Sequence, residues 1–243
     1  MSSEIGWEFP SNGGGEAPGD NNGAMDTFAG QRLSAMVREV IQNSLDAKPE
    51  GSDLPVKLAF SLHELGREEI NGFDELSRHV EACEKMVKEQ DLSHVEAVYR
   101  KSKESLRAKK PISVLVISDY NTTGLVGPLN KQKGAWFALT KGAGITQKQN
   151  VSSLGSFGHG SKAPFLMAEA RTLFYLTKIK SEQGEQLRFQ GKSILLSHEH
   201  PKYSDVTTQA TGFYGLKEGL KPLLDASVPK WATDLREKDT DDY

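Results

Sequence analysis

Cysteine is almost missing from this chain. Its single copy, Cys83, excludes an intrachain disulfide framework and any metal site built on several thiolates. No apolar run is long enough to cross a bilayer, and the N-terminus lacks a basic stretch leading into an apolar core. An intracellular, cytoplasmic protein with no membrane partner is the expectation. A surplus of basic residues is missing too. With a formal net charge of −3 over 243 residues, the chain carries no domain-wide footprint for nucleic acid, and charge gives no indication of DNA as a partner beyond a local patch. Apolar residues at 37% and charged residues at 26% are those of an ordinary globular protein, long enough for one large domain or one domain with appendages.

The first thirty residues divide in two. Trp7, Phe9 and Pro10 form a small apolar anchor, followed by SNGGGEAPGDNNGAMD, a loop-like stretch read as a flexible N-terminal arm over 1–30. Residues 31–243 then read as one domain. Leu33, Met36, Val37, Val40, Ile41, Ser44 and Leu45 recur at helical spacing and predict a helix from Arg32 to Ala47, stopped by Pro49 and Gly51. PVKLAFSLH alternates as a half-buried strand does. A charged stretch over 64–110 predicts two or so amphipathic helices, solvated as an insertion. ISVLVIS, after Pro111, is a continuous apolar run suited to a strand buried on both faces. RTLFYLTK and the segment 187–196 predict further strands, joined as a hairpin across Gly184. This order is that of an α+β two-layer sandwich and not of βαβ alternation.

Three local patterns carry chemistry. In REVIQNSLDA, Glu39, Asn43 and Asp46 fall at i, i+4 and i+7, within roughly 60° of one another and opposite the apolar stripe. A solvent face has this pattern. So does a hydrolytic pair in which a carboxylate deprotonates water beside an amide oxygen that ligates a hard cation. Asp119 ends the buried strand, as a turn cap or as an acceptor for an exocyclic amine, and Gly124 lets backbone approach a ligand closely. GSFGHGSKAPF places Gly155, Gly158 and Gly160 before a helical run, with Lys162 behind them. Backbone N–H groups there suit an anion, although neither a Walker A spacing nor a dinucleotide fingerprint is present.

Taken in order, Glu-xxx-Asn-xx-Asp-Ala, the strand-ending Asp with a trailing Gly, and GxFGxG before a helix resemble the GHKL superfamily of gyrase, Hsp90-type chaperones, histidine kinases and MutL. EVIQNSLDA is similar to the first motif of the MutL and gyrase branches, and GSFGHGSK to the glycine loop of the chaperone and microrchidia branches. The resemblance implies the Bergerat ATP-binding fold with a helical insertion over 64–110, ATP and Mg²⁺ as cofactors, and ATP hydrolysis that is slow in isolation. It makes Glu39 the general base, Asn43 the Mg²⁺ ligand, Asp46 a pocket support, and Asp119 the partner of the adenine amine, with Gly124 shaping that wall. Gly155, Gly158 and Gly160 present N–H groups to the phosphates, Lys162 is a charge partner, and residues 131–155 form the ATP lid. A homodimer or partner-protein contact on ATP binding is implied as well.

The chain departs from that pattern in two places. The second motif reads Asp-Tyr-Asn-Thr-Thr-Gly where Asp-x-Gly-x-Gly is usual, and the late Gly-Thr strand is not evident, Thr211 being its one candidate or the element lying beyond Tyr243 in a longer protein. A histidine- or serine-kinase activity and a non-hydrolysing ATP-sensing module are the alternatives. Lys141 is a further lid candidate for a phosphate, and His198 and His200 read as exposed loop histidines with no third metal ligand.

Overall fold

The computed structural model describes residues 4–15, 32–129, 131–142, 163–181 and 184–236. Within these the elements run β1 (Ile5–Glu8), α1 (Arg32–Asp46), β2 (Lys57–Leu65), α2 (Phe73–Glu89), α3 (Ser93–Arg107), β3 (Ile112–Tyr120), α4 (Gly134–Thr140), α5 (Ala163–Met167), β4 (Thr172–Ser181), β5 (Gly184–Ile194), β6 (Thr211–Leu216), β7 (Leu223–Leu224) and α6 (Lys230–Leu235). Six helices and two antiparallel sheets make a mixed α and β chain of the α+β kind.

The larger sheet has the order β1-β6-β5-β4, with β7 pairing β5. β4 and β5 form the expected hairpin, Ser181 opposite Gly184, and the positive φ of 109° at that glycine serves the turn. β5 has neighbours on both sides, so it is buried from Arg188 onward even where its residues are polar. The apolar anchor at the start of the chain is a strand of this sheet: Trp7 pairs with Tyr214, and Trp7 and Phe9 are buried. Phe9 fits because position 212 is glycine; a Cβ there would stand 2.5 Å from the Phe9 ring.

The charged stretch forms two helices, yet they are not a solvated appendage. Val80, Cys83 and Val87 of α2 and Val95 and Tyr99 of α3 lie in the same core as Trp7, Phe189, Tyr214 and Trp231. Aromatic rings dominate that core, with Phe174 and Phe189 stacked at 5.6 Å and Phe189 edge-on to Trp231 at 5.6 Å. Lys85 and Lys88 lie on the outer face, whereas Glu84 is itself buried and bridges Lys88 at 2.6 Å and Lys103 at 3.1 Å.

The smaller sheet consists of β2 and β3 alone, paired antiparallel from Lys57 opposite Tyr120 to Leu65 opposite Ile112. The apolar run of β3 is therefore not enclosed on both faces. Leu62 lies opposite Leu115 and Phe60 opposite Ile117 on one side of the pleat, and Leu62 is 72% exposed. A run without alternation predicts enclosure only when other layers cover both faces of the strand, and exposed Phe60, Leu62 and Leu115 leave one face of this sheet open.

Candidate functional site

The first motif lies on α1, which spans the predicted residues but is turned. Met36 and Ser44 are buried, whereas Ile41 and Leu45 of the apolar stripe are exposed, Leu45 by 57%. At about 100° per residue the buried direction sits roughly 45° from the centre of the stripe, toward the polar trio. The helix packs on the short α5, and this rotation carries Glu39 into partial burial. Asn43 and Asp46 stay exposed.

Glu39 and Asn43 stand one helical turn apart, and the Asn43 side chain acts on the Glu39 carboxyl as a hydrogen-bonding neighbour. Burial raises the Glu39 carboxyl above the usual glutamate range, against the lowering by the Asn43 bond and with the charge of Asp46 adding to the rise. Since a carboxylate only accepts, the Asn43 amide N–H is the donor, and the amide oxygen remains available to a cation. That oxygen and the neighbouring carboxylates form a hard donor set of the kind Mg²⁺ uses together with phosphates and water. Among the described residues no group of three or more His, Cys, Asp or Glu side chains can hold a metal by itself.

The second motif meets the end of α1. Thr123 N–H donates to the Ala47 carbonyl at 2.8 Å, directly after Asp46. Asn121, standing where the usual motif has its first glycine, has φ of 59°, and its side-chain amide donates to the Pro55 carbonyl at 2.8 Å. Asparagine tolerates the left-handed region better than other residues with a side chain, so it supplies the turn that the missing glycine would make. Gly124 has φ of 64°, and what approaches it is the chain itself: a Cβ there would stand 2.9 Å from Thr177 Oγ1 and 3.0 Å from the Lys178 carbonyl. Leu125 N–H donates to Thr177 Oγ1 at 3.0 Å. The loop therefore links α1, the approach to β2, and β4. Asp119, exposed and opposite Leu58, is the penultimate residue of β3.

The structure thus brings the C-terminal end of α1, next to Asp46, and the loop after Asp119 together. Gly155, Gly158, Gly160 and Lys162 lie outside the described residues, as does the lid segment from 143 onward. Lys141 is held elsewhere, with its amine donating to the Leu220 carbonyl at 2.7 Å. Thr211 pairs with Ile194 in the larger sheet. Thr177 is the threonine placed against the second motif, and only its position in an alternating strand hinted at an inward side chain. His198 corrects an expectation: it is buried in the core, its Nε2 is 2.8 Å from His79 Nδ1, and His200 packs 5.2 Å from His79. The third histidine came from α2, more than a hundred residues away, where spacing could not reveal it.

No family model matches the chain, and comparison with curated proteins and with solved structures returns no match.

Proposed function

We propose that the chain is a Mg·ATP-binding ATPase module of the GHKL type, a Bergerat-fold switch whose nucleotide sits beside α1 and the loop after β3. The observation that carries this reading is the pairing of half-buried Glu39 with Asn43, beside a second-motif loop tied to the following turn. Glu39 acts as general base, and its raised pKa moves it toward the operating pH, where proton abstraction from water is most effective. Asn43 orients that carboxylate and offers its amide oxygen to Mg²⁺, which neutralises phosphate charge when bound. Asp46 keeps the local field negative, and Asp119 accepts from the adenine amine. The cradle for the phosphates is assigned to Gly155, Gly158, Gly160 and Lys162 from the sequence pattern alone.

Nucleotide binding then favours association with a second copy or a partner protein. Exposed Leu33, Ile41 and Leu45 on α1, with Phe60, Leu62 and Leu115 on the small sheet, are apolar surface that such a contact can cover.

Phosphate release separates turnover from binding. Glu39→Ala lowers release by about 100-fold or more while ATP affinity is retained, the range expected when a general base is removed. Unchanged release in that variant removes Glu39 from the chemistry, and labelled phosphate appearing on the protein instead of in solution points to a kinase.

A further inference from the structure

A cavity of about 500 Å³ opens between α4 and the turn that follows β6. Its volume is within the range of small-molecule sites. Leu129, Phe137, Leu216, Pro222 and Leu224 give it apolar walls, and Lys131, Lys141 and Lys221 also line it. Lys141 is the unusual one. Its Nζ donates to the Leu220 carbonyl at 2.7 Å and lies 3.4 Å from the centre of the Phe213 ring. The same carbonyl accepts from Gln190 Nε2 at 3.0 Å, and Leu220 adopts a φ of 51° that aims it at these donors. Among the described residues no carboxylate pairs with Lys131, Lys141 or Lys221, although the chain has more acidic than basic residues.

A lysine amine taken from water normally brings a counterion with it, because an isolated buried charge is costly. Here the second charge acting on Lys141 is another cation, Lys192. We propose that this cavity binds a small organic anion with an apolar body, an aliphatic or aromatic carboxylate whose charged end pairs with Lys141 while its body lies against Phe137 and Leu224. The ligand supplies the counterion that the described residues omit. Consistent with this, burial and the Lys192 charge lower the free Lys141 amine to a pKa of about 7, so occupancy by a carboxylate takes up a proton at neutral pH.

The test uses sodium octanoate, with octan-1-ol as the neutral probe of the same length, and the full chain. Octanoate is expected to bind at millimolar concentration or below. Lys141→Met, which keeps the apolar stem, is expected to weaken it about tenfold and to leave octanol unchanged. Nuclear magnetic resonance of the lysine Cε signals tests the wild-type protein directly, with the Lys141 titration midpoint moving upward on octanoate addition. Equal binding of octanol and octanoate, undiminished octanoate binding by Lys141→Met, a midpoint that ignores octanoate, or no binding at millimolar octanoate each overturns the proposal.

Discussion

His79 and His198 form a buried histidine pair in the core. His79 is 2% exposed, stacked on Phe9 with ring centroids 4.2 Å apart, and hydrogen-bonded to His198. Burial, with the charges of His198, His200, Arg78 and Lys217, lowers its pKa from 6.5 to about 3. A folded-state pKa below the unfolded value means that the unfolded chain binds the extra proton. Stability is then complete above the ordinary histidine range and is lost as pH falls from about 6.5 toward about 3. From this residue alone, urea unfolding loses about 2 kcal/mol between pH values of about 7 and 5, and His79→Gln flattens that slope. An unchanged slope means that His79 is solvated. Nothing in the local sequence announced the pair, since histidine is as common on surfaces as inside. Asn121 was illegible for a related reason. Its identity shows that the motif's glycine is missing, but only the backbone shows that it adopts the conformation a glycine would have used.

At the scale of elements, periodicity located most of what formed. The helix predicted over Arg32–Ala47 is Arg32–Asp46, and the run ISVLVIS falls inside Ile112–Tyr120. What periodicity could not supply was the partner of each face. The apolar stripe of α1 implied burial along its whole width, yet its neighbour α5 is short, and half the stripe faces outward. β1 was read as an anchor and not as a strand because four residues carry little alternation; its pairing with β6 is a long-range contact. The two sheets should respond differently to substitution. Phe189→Ala, in the ring cluster of the larger sheet, costs about 3–5 kcal/mol in chemical denaturation. Leu62→Lys, on the open face of β2, costs within about 0.5 kcal/mol. A large loss for the second shows that the β2–β3 face is covered in solution.

At the scale of the whole molecule, one core joins β1, α2, α3 and the larger sheet, and the candidate site sits apart from it, where α1, the loop after β3 and β4 meet. This separation suits a switch, because a loop held by the few hydrogen bonds at Thr123, Asn121 and Leu125 can move without opening the core. The helix trio was legible because three polar side chains at helical spacing need only one helix to meet. The division into two sheets was not, since strand order depends on contacts between distant residues. Nucleotide binding is the claim on which the functional account stands. Titration calorimetry of the wild-type chain and Asp119→Asn with Mg·ATP tests it most directly. The account predicts saturable binding by the wild type and weaker binding by Asp119→Asn, because the amide keeps one acceptor oxygen but loses the second acceptor and the charge of the carboxylate. Wild-type heats no different from dilution at millimolar ATP, or equal affinity in the two proteins, would contradict it.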